Sequence, residues 1–325
     1  MTYDVIIIGA GPCGLSVGIE AQSNQLSHLI LDKGTVAESI RQYPLQMKFF
    51  STRENIEIGN IPFAIREPKA SREEALTYYR KVAEHYQLNL ELQTEVESVA
   101  QFSDGLKVQT KCGKNYIGKN VVIATGYFDN PRKLNIPGEE LPHVENKYRE
   151  PYKYAFSRVI IIGGGNSAVE TALDLHRNGA DVTLLVKEND FKPTAKYWLV
   201  PDLNNRIKEG KIKASFNTTA TEIEKNLVHT KDAAGQNTSF ECDYVLTLIG
   251  HTTDTKLLKS CQIKYSEDLI PAYDANTFET NIPNLYVSGT VICGTQTEKV
   301  FIENGRLHGK AIINNILNKQ AILEA

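Results

Sequence analysis

The sequence predicts an α/β protein with two nucleotide-binding halves, the second inserted into the first. Three observations predict it. An aliphatic run leads into a glycine-rich turn and a helix twice, from Asp4 and again from Val159. Two further aliphatic runs, at 121–126 and 243–250, end on small residues and read as crossing points between the halves. A last strand and turn at 284–290, with a helical stretch at 302–317, then returns to the first half.

In the first copy, Asp4-Val5-Ile6-Ile7-Ile8 has the unbroken apolar character of a buried parallel strand. Gly9-Ala10-Gly11-Pro12-Cys13-Gly14 follows, then a helical stretch at 15–25 and a short strand, His28–Leu31, ending at Asp32. Gly9, Gly11 and Gly14 fit G-x-G-x-x-G, with the acid about 20 residues on, the spacing of a dinucleotide site. Gly9 permits the tight turn, Gly11 admits a pyrophosphate against the backbone, and Gly14 lets helix and strand approach. Helix N–H groups and the helix dipole hold the phosphates. Asp32 can accept from both ribose hydroxyls and repels a 2′-phosphate, so this half suits FAD or NAD.

In the second copy, Val159-Ile160-Ile161-Ile162 precedes Gly163-Gly164-Gly165-Asn166-Ser167-Ala168 and a helix to about Asn178, with Gly179 as its stop. Gly163, Gly165 and Ala168 fit G-x-G-x-x-A, and Asn166 and Ser167 open the helix at the phosphate end. The next strand, 181–186, ends at Lys187, a cation that favours a 2′-phosphate and hence NADPH; Glu188 pulls toward NADH. A single-domain dehydrogenase needs one such device. Two in one chain point to hydride passing between two dinucleotides, with a Rossmann-like domain that takes FAD or NAD (1–123 and 248–325) and a Rossmann-like NAD(P)H domain (124–247) inserted into it.

Between these units, Ser71-Arg72-Glu73-Glu74 is a capping box opening a helix, with Leu76, Tyr79, Ala83 and Tyr86 along one face. Strands are expected at 90–99, 106–111 and 115–124, with turns at Asp104-Gly105 and Cys112-Gly113. Gly305 and Gly309 interrupt the C-terminal helix.

Composition narrows the function classes. A 41% hydrophobic and 23% charged balance is globular, and a net charge of −3 without basic clusters excludes a nucleic-acid footprint. The N-terminal apolar run is too short for a signal core or a membrane span, which leaves the cytosol as the expected compartment. The five cysteines, Cys13, Cys112, Cys242, Cys261 and Cys293, are scattered and never spaced C-x-x-C, so neither a metal knuckle nor a dithiol pair is encoded.

The layout resembles the thioredoxin-reductase-like branch of the two-dinucleotide-binding-domain flavoproteins over essentially the whole chain. The resemblance rests on the Gly9-Gly11-Gly14 loop with Asp32, Ala124-Thr125-Gly126, Ile136-Pro137-Gly138, the Gly163-Gly165-Ala168 loop and Ile282-Pro283-Asn284-Leu285-Tyr286-Val287-Ser288-Gly289. It implies FAD and NADPH as cofactors, with Ala124, Thr125, Gly126, Gly289 and Thr290 at the flavin nucleotide. Lys33, Phe50, Val96 and Gly250 complete the expected cofactor neighbours. The chain departs from the branch in three ways: there is no C-x-x-C, Thr290 stands where an Asp is usual, and the flavin-monooxygenase signature is missing from 143–158.

Within the branch, the chain is similar to the bacillithiol disulfide reductase group at Gly11-Pro12-Cys13-Gly14, Glu38-Ser39-Ile40, Phe49-Phe50-Ser51, Lys196-Tyr197-Trp198-Leu199-Val200-Pro201 and Phe301-Ile302-Glu303-Asn304-Gly305. That resemblance implies reduction of a low-molecular-weight disulfide through Cys13, and a homo-oligomer. At a helix N-terminus the Cys13 thiol is expected to have a lowered pKa, although a bound pyrophosphate opposes this; packing as a small apolar filler is the other reading. Cys293 is a second thiol expected near the flavin. His308, Glu298 and Glu303 are candidate proton donors, and Tyr43, Phe49 and Phe50 candidate ring neighbours. A ferredoxin or flavodoxin NADP reductase, possible partner a redox protein, and a flavin redox sensor are the alternative functions.

Overall fold

A computed structural model describes residues 2–103 and 105–324, so Asp104 of the expected turn lies outside the described residues. The chain first forms β1 (Thr2–Ile8), α1 (Pro12–Ser23), β2 (His28–Leu31), α2 (Glu38–Arg41), α3 (Arg72–His85), β3 (Leu90–Glu91), β4 (Val96–Phe102), β5 (Gly105–Thr110) and β6 (Asn115–Ile123). It continues through β7 (Val144–Glu145), β8 (Arg158–Ile162), α4 (Asn166–Arg177), β9 (Asp181–Leu185), α5 (Val200–Lys208), β10 (Lys213–Ser215), β11 (Thr218–Glu224), β12 (Leu227–Asp232), β13 (Asn237–Glu241) and β14 (Tyr244–Thr247). It ends with α6 (Thr255–Ser260), β15 (Leu285–Val287), α7 (Ile302–Gly305) and α8 (His308–Glu324). Contacts divide it into two compact units, 1–130 with 251–325, and 131–250. These limits lie a few residues beyond those read from the sequence and put Ala124, Thr125 and Gly126 in the first unit.

In the first unit the sheet runs β3-β2-β1-β6-β5-β4, and β15 joins β6 beyond the end of β5. β1 has isoleucines on both faces because both are covered. Val5 and Ile7 enter one apolar cluster with residues of α1, α3 and α8, and Ile6 and Ile8 enter the opposite cluster with residues of β5, β6 and β15. Each such buried side chain contributes about 1.5–3 kcal/mol. The registers Ile8↔Leu31, Ile8↔Ile123 and Val287↔Ile123 bring four parallel strands to a common carboxyl edge. In sheets of this kind the ligand crevice lies outside that edge.

The second unit repeats the plan. Its five-stranded parallel sheet runs β10-β9-β8-β14-β7, with a three-stranded antiparallel meander β11-β12-β13 beside it in sequence. Val159 and Ile161 of β8 face one cluster, Ile160 and Ile162 the other.

Several expected elements differ in detail. The strand at 90–99 is two strands, because Gln93 turns left-handed at φ +55° while its N–H and that of Thr94 are captured by the carbonyls of Gly34 and Asp32. The capping box at Ser71 forms as expected, worth about 1 kcal/mol. The buried face of α3, however, is Ala75, Tyr78, Tyr79, Val82 and Ala83, with Leu76 and Tyr86 at its margin. α1 starts three residues earlier than expected, at Pro12, whose missing N–H and fixed φ suit the first helical position. The C-terminal helix breaks after Gly305; Gly309 lies inside α8, where a Cβ would come within 2.8 Å of the Ser16 backbone.

Candidate functional site

A cleft of about 210 Å³ opens over the carboxyl edge of the first sheet. Gly9, Gly11, Pro12, Cys13, Asp32, Lys33, Val96, Ala124, Thr125, Gly126, Gly289 and Thr290 line it. The three loop glycines answer to different demands. Gly9 has φ +117°, and a Cβ there would lie 2.4 Å from the Ala124 carbonyl oxygen. Gly14 does not line the cleft, and its Cβ would lie 1.9 Å from the Gly9 oxygen. Gly11 has an ordinary φ of −72°, and its Cβ would meet no heavy atom within 4 Å. Neither backbone nor packing requires glycine at 11, and a side chain there would stand in open space on the cleft wall. The first N–H groups of α1 have no intrahelical acceptor, and its first turn carries no acid. These features fit a pyrophosphate.

Asp32 is held in place by two backbone donors, Ala10 N–H to Oδ2 and Gly34 N–H to Oδ1, both at 2.7 Å. Burial raises its pKa against those two bonds, and Glu38 and Asp129 add to the rise. Each oxygen keeps a second lone pair, so the carboxylate can still accept from ribose hydroxyls. Lys33 is engaged with Asp129 at 3.0 Å. Thr290 Oγ1 lies 3.3 Å from where a Gly126 Cβ would stand.

Cys13 is half-buried, with its sulfur packed toward Gly289 and Gly305. Its thiol is pushed up to about 12 by burial, with Cys293 acting in the same direction. The shift is opposite in sign to the lowering expected at a helix N-terminus, because burial penalises the thiolate. Cys293 is buried, and its thiol is raised to about 11. His308 does not suit the proton-donor role near neutral pH. Its Nδ1 accepts from the Gly289 N–H at 3.1 Å, its ring stacks on Phe278 at 4.0 Å, and burial lowers its pKa to about 4. Glu303 accepts a hydrogen bond from Ser51.

Tyr43 lines the cleft, edge-on to Phe128 at 4.8 Å, and burial raises its phenol to about 12. Phe49 packs behind it, whereas Phe50 does not line this cleft: it is exposed under the Lys69 ammonium. Sequence reasoning missed Asp129, Asn130 and Asp254 as lining residues. Asp254 carries only the signal of an N-cap, its Oδ1 accepting from Lys256 N–H at 2.9 Å.

In the second unit Gly163 has φ +143°, and a Cβ there would lie 2.3 Å from the Leu248 oxygen. Ala168 is buried and Ser167 exposed in the first turn of α4. Gly165 has only the Lys192 Cδ, at 3.8 Å, within reach of a Cβ. Asn166 spends its side chain on the following loop, accepting from Lys196 N–H at 2.7 Å and donating to the Thr194 oxygen at 3.0 Å. Lys187 and Glu188 are both exposed. Gly250 has φ +93°, with no heavy atom within 4 Å of a Cβ, and its carbonyl accepts from Arg132 N–H at 3.0 Å. Lys192 was not singled out from sequence, because it lies in an irregular loop seven residues past the end of β9.

Two sheets, one mixed and one parallel, each present a glycine loop whose middle position is open, which defines an oxidoreductase with two dinucleotide sites, FAD- and NADPH-dependent by its family. The chain belongs to the pyridine nucleotide-disulphide oxidoreductase family, which it matches over residues 6–289. It is 32% identical over 316 residues to bacilliredoxin reductase Bdr of Bacillus subtilis (strain 168), covering 97% of this chain and 98% of that one. Two solved structures of bacillithiol disulfide reductase Bdr are similar throughout. That from Staphylococcus aureus has a TM-score of 0.94 at 37% identity, covering 98% of this chain and 99% of the other. That from Bacillus cereus has a TM-score of 0.95 at 34% identity, covering 98% and 100%.

Proposed function

We propose that the protein uses NADPH and FAD to reduce a low-molecular-weight disulfide of the bacillithiol disulfide type, with Cys13 as the reacting thiol. The observation that carries the reading is the position of Cys13 on the wall of the flavin-nucleotide cleft, in a chain that parallels the bacillithiol disulfide reductases end to end. A bound FAD would supply two-electron chemistry between NADPH and a disulfide.

The chain's own groups supply placement. The Gly9, Gly11, Pro12, Cys13 and Gly14 turn would hold the FAD pyrophosphate on the N–H groups of α1. Asp32 would accept from ribose hydroxyls, with Lys33 and Val96 along the wall. Ala124, Thr125, Gly126, Gly289 and Thr290 would flank the chain toward the flavin ring, a hydroxyl at 290 in place of a carboxylate. Gly163, Gly165, Ser167 and Ala168, with Lys187, would receive NADPH, while Asn166 braces the neighbouring loop. Cys13 Sγ, once deprotonated, attacks one sulfur of R–S–S–R and expels a thiolate that takes up a proton. The mixed disulfide so formed receives two electrons and one proton, releasing the second thiol and restoring the Cys13 thiolate.

No helix among the described residues is long and apolar enough to cross a membrane. A cytoplasmic homo-oligomer is part of the same reading, checked by light scattering and fractionation. The main experiment follows NADPH oxidation against bacillithiol disulfide, other small disulfides and ferredoxin. Turnover restricted to a small disulfide and lost in Cys13→Ala supports the reading; full turnover in Cys13→Ala, or turnover with ferredoxin alone, sinks it.

A further inference from the structure

The Cys13 sulfur faces two positions that have no side chain. A Cβ on Gly305 would lie 2.7 Å from Cys13 Sγ, and a Cβ on Gly289 would lie 2.8 Å from both Cys13 Cβ and Sγ. Gly289 has φ +71°, so its backbone favours glycine in any case. Gly305 is different. It sits in the helical turn α7 at a φ that any residue adopts, where glycine costs about 1 kcal/mol relative to alanine. After the sulfur, the next atoms a Cβ would meet are Gly289 Cα at 3.3 Å and Val300 Cγ1 at 3.4 Å, both farther off. The sulfur is the nearest obstacle to a side chain at 305.

We propose that Gly305, with Gly289, is a positioning residue for Cys13: the two missing side chains form the seat in which the sulfur lies. The inference rests on the reading of Cys13 as the reacting thiol. The seat is fastened from several sides and cannot simply retreat. Phe301 N–H donates to Asn304 Oδ1 at 2.8 Å, closing α7 on itself, and Asn304 Nδ2 donates to the Lys299 carbonyl at 2.9 Å. The Arg306 guanidinium donates to the carbonyls of Glu54, at 3.0 Å, and Glu57. Ser16 Oγ, one turn beyond Cys13 on α1, donates to the Arg306 carbonyl at 2.5 Å. His308 Nδ1 holds the Gly289 N–H. A methyl group at 305 therefore displaces the sulfur more readily than it displaces α7.

The test is a double-mutant cycle on the full chain with its flavin: wild type, Gly305→Ala, Cys13→Ala and both together. Gly305→Ala is expected to lower Tm by about 4 °C or more in the wild-type background, as overpacking does. In the Cys13→Ala background, where the sulfur is gone, the loss should shrink to about 1 °C. A Gly305→Ala chain that folds only when Cys13 is also replaced is the extreme of the same result. Equal losses in both backgrounds, or failure to fold in both, overturns the seat. The kinetic arm asks for disulfide kcat to fall about 100-fold in Gly305→Ala, the effect of a reacting group misplaced by about 1 Å, while KM stays within about threefold. Unchanged kcat with the thermal coupling present overturns the positioning role. Full turnover in Cys13→Ala removes the thiol mechanism itself, and the Tm cycle still decides the seat.

Discussion

The glycine loops at 9–14 and 163–168 have the same backbone trace and tolerate different side chains. In both, the first glycine lies at positive φ, and a Cβ would strike a carbonyl oxygen just past a neighbouring strand, that of Ala124 or of Leu248. In both, the middle glycine faces open space apart from one lysine methylene beside Gly165. The loops part at the third position. A Cβ at Gly14 would lie 1.9 Å from the Gly9 oxygen, whereas the real Cβ of Ala168 stands 3.6 Å from where a Gly163 Cβ would be. They also part in their surroundings: Asp32, Glu38, Asp129 and a thiol line the cleft at the first, and the Lys192 side chain lies beside the second. We read the shared backbone as a phosphate cradle, with the surroundings setting which nucleotide it takes and what chemistry adjoins it.

The largest expected effect tests the third position. Gly14→Ala should destabilise the first unit by about 3 kcal/mol or more, since the obstacle is a backbone oxygen that cannot rotate away. The mirror change, Ala168→Gly, removes a buried methyl and adds helix entropy, and should cost about 1 kcal/mol. Urea unfolding of both variants compares them directly. Equal losses would mean that the two loops do not differ in strand–helix spacing.

Acid should separate the units next. The first unit holds two buried histidines whose rings must accept from backbone N–H groups, His28 Nε2 from Asn89 at 3.2 Å and His308 Nδ1 from Gly289 at 3.1 Å. Burial lowers both pKa values, that of His308 from 6.5 to about 4. A folded pKa below the unfolded one means that the neutral ring stabilises the fold fully above pH 6.5. That stability is lost as pH falls from 6.5 toward 4, by up to about 3 kcal/mol for His308. Denaturant midpoints at pH 7 and pH 5 should differ in the wild type and differ less in His308→Asn. An unchanged difference would assign the acid sensitivity elsewhere.

Much of this was legible in the sequence because it lies in local patterns. The strand–glycine–helix period, the Asp32 spacing and the Ser71 capping box are each written within about 25 residues. What was not legible depends on contacts across the chain. The sign of the Cys13 pKa shift reverses because Gly289 and Gly305, nearly 300 residues away, bury the sulfur. His308 reads as a proton donor until the Gly289 N–H is seen to occupy its nitrogen. Lys192 escapes because no periodicity marks a residue in an irregular loop.

Gly11 gives a sharper comparison at smaller magnitude. Its Cβ would touch nothing, so Gly11→Ala should leave the stability of the flavin-free protein within about 0.5 kcal/mol. FAD retention should fall about tenfold as the methyl group enters the pyrophosphate path, measured by flavin absorbance after gel filtration at graded FAD. Gly9→Ala, by contrast, should lose stability with or without flavin, because it must leave φ +117° and clash with Ala124. A flavin-free Gly11→Ala chain as unstable as Gly9→Ala would mean that glycine at 11 serves the fold and not the ligand.

The smallest effect concerns the lysine over the second loop. Lys192 Cδ lies 3.8 Å from where a Gly165 Cβ would stand, and its N–H donates to the Gly164 carbonyl at 2.9 Å, so its chain is anchored across the mouth of the cradle. The first loop has no counterpart at Gly11. Lys187 is exposed past the strand end, where a ribose 2′-phosphate is expected, while Lys192 lies beside Gly165, where a pyrophosphate is expected. The two lysines therefore make separable predictions. Lys192→Ala should weaken NADP+ and NAD+ alike, by about fivefold, the size of one exposed charge contact of about 1 kcal/mol. Lys187→Ala should weaken NADP+ and leave NAD+ unchanged. Calorimetric titration with both nucleotides reads the difference. Loss of NADP+ alone in Lys192→Ala would move the 2′-phosphate contact from residue 187 to residue 192.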